Sequence, residues 1–246
     1  MRIANRALPV FVLLFLFIFT SCERLFQPPR PPGVPEGARR DRRMGVWNYL
    51  SPAGEYRRFY SDGKTAIQGR IIKNMRQGLW RFYSIDGKTL VAEGKCLNNL
   101  RDGVWRFHDD RGRLYMTKTY RPTPVRNFGL VYTIDYGNEN GPYERYFEDG
   151  RLEERGFYRG GYYEGNLRRY YRNGKPAVEG RYKKDLKAGV WRYYYPEGGL
   201  ERTEEYRAGL LWGNLKNYRP DGSLRQIAVF HRGKLQKREL FPARKK

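Results

Sequence analysis

A motif returns along this chain about every 24 residues: Gly, any residue, an aromatic or Leu, two more residues, an aromatic, then a turn closed by Gly. It reads GEYRRFYSDGK from Gly54, GLWRFYSIDGK from Gly78, GVWRFHDDRGR from Gly103 and GPYERYFEDGR from Gly141. It continues as GNLRRYYRNGK from Gly165, GVWRYYYPEGG from Gly189 and GNLKNYRPDGS from Gly213. Successive starts are 24, 25, 38, 24, 24 and 24 residues apart, so a single joint departs from the period. A fixed period of this length marks a repeat architecture, in which one supersecondary unit cannot bury its apolar face alone.

Counting the first Gly as offset zero, offset two holds Tyr56, Trp80, Trp105, Tyr143, Leu167, Trp191 and Leu215. Offset nine is Gly in every copy: Gly63, Gly87, Gly112, Gly150, Gly174, Gly198 and Gly222. Asp or Asn usually precedes that Gly, and such a dipeptide between aromatic runs signals a hairpin because the turn needs positive φ. A second strand then runs to about offset seventeen, at Ile71, Tyr120, Tyr158, Tyr182, Tyr206 or Phe230. With 21 Tyr, 13 Phe and 5 Trp, the chain suits a sheet covered by flat amphipathic rings. A lone hairpin is marginal in water. The pattern therefore predicts an all-β fold: an elongated antiparallel β-meander of about seven stacked 24-residue hairpins.

The seven copies resemble MORN-type repeats, whose units carry G-x-W-x-x-Y-x-x-x-G hairpins, over roughly residues 45–237. They are most similar to a bacterial variant often labelled the antitoxin of a YwqK-type toxin–antitoxin system. The resemblance implies a single-layer sheet with a binding or scaffolding role, or an antitoxin or immunity protein that neutralises an acidic toxin.

The N-terminus is an address. Arg2 and Arg6 precede an apolar stretch, Ala7 to Phe19, which is shorter than the roughly 20 residues of a membrane span. It closes on Phe19-Thr20-Ser21-Cys22, which resembles a bacterial lipobox with Cys22 as the lipidated residue. This implies a lipoprotein signal peptide over 1–21 and a chain anchored to the cell membrane or outer membrane, facing the periplasm or exterior. Residues 22–43 read as the lipidated Cys and a Pro/Arg-rich linker, extended and solvated, with a reach of roughly 60 Å. An N-terminal repeat block spans 44–120, led by an extra strand at Gly45 to Tyr49. The irregular joint, 121–140, carries Pro122 and Pro124 and an extra strand near 129–136. A C-terminal block spans 141–237, and a basic tail 238–246.

Chemistry is sparse. Offset accounts for His108, which stands in the offset-five aromatic row, and for Cys96, a small hydrophobe at a strand end. Neither a phosphate loop, a zinc-protease helix nor a paired-Cys motif occurs. Acidic residues, such as Asp109-Asp110 and Glu153-Glu154, read as turn residues. The expectation is a non-catalytic protein with no cofactor, no metal and no small-molecule substrate.

Charge points to a partner. There are 49 Lys plus Arg against 26 Asp plus Glu, a net of +23, and such a field favours anionic partners. Offset three holds Arg57, Arg81, Arg106, Glu144, Arg168, Arg192 and Lys216. Offsets three and five share a face of the strand, since side chains alternate. Each repeat thus offers a cation beside a ring, repeated roughly every 10 Å across the sheet. Two readings follow. The cations form a ladder for a protein or an anionic envelope polymer, nucleic acid being the less favoured polyanion; or their stems cover the Tyr faces and keep an open sheet soluble.

Overall fold

The structure is a computed structural model that describes residues 29–122 and 139–243. The signal peptide, Cys22 and the strand expected near 129–136 lie outside these residues. Eighteen strands and no helix are found among the described residues. The N-terminal half holds β1 (Arg39–Asp41), β2 (Val46–Leu50), β3 (Glu55–Phe59), β4 (Thr65–Ile72), β5 (Met75–Tyr83), β6 (Leu90–Leu97), β7 (Leu100–His108) and β8 (Leu114–Tyr120). The C-terminal half begins with β9 (Glu139–Tyr146), β10 (Leu152–Arg159), β11 (Tyr162–Tyr163), β12 (Gly165–Tyr170) and β13 (Pro176–Lys183). It ends with β14 (Leu186–Tyr194), β15 (Leu200–Arg207), β16 (Leu210–Tyr218), β17 (Leu224–His231) and β18 (Lys234–Leu240). Each strand pairs antiparallel with the next in sequence, and β11 and β12 together pair with β10 as one interrupted strand. The product is one open meander.

Two kinds of turn alternate. Within a repeat, Gly63 N donates to Tyr60 O at 3.0 Å, and Tyr60 N donates to Lys64 O at 2.8 Å. This is a type I turn closed by a bulged Gly. Only the Gly takes positive φ there (89° at Gly63), while Asp62 Oδ1 accepts from Lys64 N at 3.1 Å. Asp86, Asp149, Asn173 and Asp221 repeat that side-chain cap. Between repeats the turn is a two-residue type I′, with both residues left-handed: Lys73-Asn74, Asn98-Asn99, Gly160-Gly161, Lys184-Asp185, Ala208-Gly209 and Arg232-Gly233. The 25-residue repeat holds its extra residue in the first kind of turn, where Ser84 N donates to Thr89 O.

The joint leaves the sheet order intact. β9 pairs directly with β8 through Met116↔Arg145, Thr117↔Glu144 and Lys118↔Tyr143. Regular joints use the equivalent register, as in Ala92↔Phe107 and Glu93↔Arg106. The longer interval at this joint thus leaves the order of the strands unchanged.

One face of the sheet holds the two larger clusters of the core. Trp80, Cys96, Trp105 and Tyr120 form one buried cluster, and Tyr143, Tyr158, Leu167 and Trp191 a second. Offsets two and seventeen thus interlock across neighbouring strands. Trp105 is 1 % exposed although the sheet is a single layer, because cations close over the rings: Arg101 lies 4.6 Å above Trp105 and Lys187 4.4 Å above Trp191. Each Trp needs space beneath it. A Cβ placed on Gly69, Gly94 or Gly180 would meet Trp80, Trp105 or Trp191 at 2.2–2.3 Å. These glycines sit in mid-strand, one repeat before their Trp.

The Pro/Arg-rich segment departs from the solvated spacer that its composition suggests. β1 pairs with β2, and Val34 is buried with Trp47 and Phe59. Gly63 abuts Pro31 and Pro32, so the strap covers the first hairpin and the sheet's N-terminal edge. Composition missed this because one apolar residue, Val34, carries the packing.

Candidate partner-binding face

The opposite face carries the offset-three residues. Strand register joins them into one row with the residues at offset fourteen. From β3 the row reads Arg57, Gln68, Arg81, Glu93, Arg106, Thr117, Glu144 and Arg155. It continues as Arg168, Glu179, Arg192, Thr203, Lys216, Ile227 and Glu239 on β18. Each is directly opposite the next, so the row crosses the strands over about 65 Å at the strand spacing of about 4.8 Å. Arg57, Arg106, Arg155, Arg168 and Arg192 are exposed.

The six cations singled out from the sequence therefore do share a face and a line, but acids stand between several of them. Arg81 Nε lies 3.4 Å from Glu93, and Arg168 Nη2 2.7 Å from Glu179. Both pairs are partly exposed, where an ion pair is worth little. Glu144 does not break the row: its cross-strand neighbour Arg155 supplies the cation one strand later. Offset fourteen was the missing signal, with Glu opposite Arg in two repeats and Arg opposite Glu in a third. None of the offset-three cations makes a cation–π contact among the described residues. Rings are capped instead by cations elsewhere, such as Arg76 over Trp80 and Arg202 over Tyr193.

Offset five flanks the row. Tyr194 donates to Glu179 Oε2 at 2.9 Å, and Tyr146 donates to Glu144. Burial, then the bond to Glu144, pushes the Tyr146 hydroxyl up to about 12. His108 occupies the same offset with a buried Nδ1 that has no hydrogen-bond partner. Offset six ties repeats together, since Tyr60 donates to Tyr83 O at 2.7 Å and Tyr195 to Tyr218 O at 2.8 Å.

Two troughs open on this face. One of about 560 Å³ lies over β3–β5 beside Arg57, Arg70 and Arg81. The larger, about 920 Å³, lies over β9–β14. It is lined by Arg155, Arg159, Arg168, Arg181 and Arg192 against Glu144, Glu164 and Glu179, five against three for a net of +2. Phe157 and Val190, 37 % and 41 % exposed, supply apolar walls.

On the core face, Glu154 corrects the reading of Glu153-Glu154 as turn residues. It is 2 % exposed at offset thirteen, where other repeats place Ile67 or Val178. Tyr143 donates to its Oε1 at 2.7 Å, while Arg145 and Arg169 pair with Oε2. Burial and that bond raise the Tyr143 pKa. A buried acid is retained here because three donors surround it.

A family model described as MORN repeat variant matches residues 139–159, 163–184 and 187–208. Residues 139–208 carry three MORN-variant repeats. The three MORN matches fall on β9–β10, β11–β13 and β14–β15, so each covers one strand pair and ends at or beside a type I′ turn. They also frame the larger trough. No curated protein matches the chain. Chains of solved structures do, among them one from "Crystal structure of GtfA/B complex bound to UDP and GlcNAc". Identity is 14 %, over 51 % of this chain and 27 % of that one, with a TM-score of 0.23. The chain thus spans about a quarter of that chain's length, and the overlap is too slight to carry an argument. Repeats of this kind suggest a scaffold or binding protein.

Proposed function

We propose that this protein is a lipid-anchored, non-catalytic MORN-repeat scaffold that holds a protein partner on its exposed charged face. The observation that carries this reading is the mixed row from Arg57 to Glu239. A uniform polyanion lying along it would meet the carboxylates of Glu93, Glu144 and Glu179. A protein surface with its own charge pattern meets each in turn, which is how electrostatic complementarity selects partners. Arg and Tyr, which dominate this face, are residues that anchor protein interfaces.

The lipobox-like run Phe19-Thr20-Ser21-Cys22 supports anchoring to the cell membrane or outer membrane, facing the periplasm or exterior. An antitoxin or immunity role for an acidic toxin is a special case of the same binding mode and would use the same face. Two variants test the proposal. Cys22→Ala should move the protein from the membrane to the soluble fraction, and unchanged retention contradicts anchoring. Arg106→Glu with Arg192→Glu should keep the sheet's circular dichroism yet release a co-purifying protein at low salt. Undiminished co-purification contradicts the choice of face.

A further inference from the structure

The row contains one place where two cations stand directly opposite each other. Arg155 on β10 pairs in register with Arg168 on β12, with no acid between them. Like charges in that position destabilise a sheet. Arg168 has Glu179 at 2.7 Å, whereas Arg155 has no ion pair among the described residues and only overlies Tyr170 at 5.8 Å. Both arginines line the 920 Å³ trough together with exposed Phe157 and Val190. We infer that this pair is the principal anchor of the face, receiving a carboxylate from an acidic protein segment whose neighbouring apolar side chains pack on Phe157 and Val190.

Charge decides the class of occupant. A net of +2 in the trough is neutralised by one or two carboxylates, and its three glutamates repel a ligand carrying more. Planar guanidinium groups match a carboxylate bidentately. The apolar walls reward a side chain beside the acid, which a bare phosphate polymer lacks. This inference rests on the scaffold reading and narrows it to one anchor.

The test uses the full chain in detergent micelles and a fluorescent, amidated eight-residue peptide with two Glu set among Val and Ser, followed by anisotropy at low salt. Controls are the same peptide with Gln for Glu, and inorganic polyphosphate as competitor. Arg155→Gln with Arg168→Gln should weaken the acidic peptide by about tenfold or more, while Arg57→Gln with Arg81→Gln changes it by less than about threefold. The first variant should melt no lower than the parent, since it removes a like-charge contact. Equal losses for both variants overturn the anchor and leave the face reading standing. So does polyphosphate that binds more tightly than the peptide and depends on the same two arginines. An absence of any peptide binding by the parent protein overturns the anchor, while the face reading stands or falls on the co-purification test.

Discussion

At the scale of single residues, the glycines separate into two kinds with different physics. Those at offset nine have positive φ, and at Gly150 (82°), Gly174 and Gly222 a Cβ would meet nothing within 4 Å. Gly94 is extended, and its missing Cβ makes room for Trp105 at 2.3 Å. Gly94→Ala should therefore cost about 1–3 kcal/mol through overpacking, and Trp105→Leu in the same chain should recover part of it. Gly150→Ala should cost about 1–2 kcal/mol through backbone strain, with no recovery from a Trp substitution. Denaturant unfolding of the four variants checks this, and a Gly94→Ala loss that Trp105→Leu deepens would count against the pairing. The sequence shows the offset-two rings and offset-nine glycines plainly, because each recurs in place. It does not show that Gly94 belongs to Trp105, since the partner lies across a strand and register alone brings them together. Glu154 was hidden for a related reason: a lone acid at an inward offset looks like any surface acid until its neighbours Tyr143 and Arg169 are in place.

At the scale of elements, the alternation of turns sets which face every strand presents. Asp-Gly marked the hairpins correctly but not their geometry: the primed turns lie at the other joints, on pairs as unremarkable as Lys184-Asp185. Three of those six pairs, Lys73-Asn74, Asn98-Asn99 and Lys184-Asp185, lack the usual Gly, so their type could not be read from composition. Ala208 pays a steric cost at φ 47° that Asn tolerates better. Ala208→Asn should accordingly raise stability by about 0.5–1 kcal/mol, read as an upward shift in the denaturant midpoint; a fall would contradict the turn assignment. Strand tyrosines give the sheet an alkaline limit. Burial first, then the bond to Glu204, pushes the Tyr206 hydroxyl up to about 12, as burial and Glu144 do for Tyr146. Both folded-state values lie above the unfolded value of about 10. Stability from the neutral ring is thus full below pH about 10 and falls as pH rises towards about 12. Tyrosinate absorbance should grow together with loss of sheet dichroism in that window; ionisation of all 21 Tyr near pH 10 with the sheet intact would contradict it.

At the scale of the molecule, an open sheet of this length has two long faces with separate tasks. Rings and their covering cations build the core on one, in two clusters that meet at the β8–β9 joint. There Lys118 bridges them, lying 5.2 Å from the Tyr158 ring and 3.6 Å from Glu139. The other face carries the charged row and both troughs. Only the row's cationic half was legible from the repeat offsets, and its acids emerged once neighbouring strands were paired. The division of labour between the faces is tested most directly by placing a photo-crosslinking residue at position 168 or 192 on the row, and at 101 or 187 over the core rings, then irradiating intact membranes. The account predicts a discrete protein adduct from 168 and 192 and none from 101 and 187. Equal adducts from both faces, or adducts from the ring face alone, would contradict it.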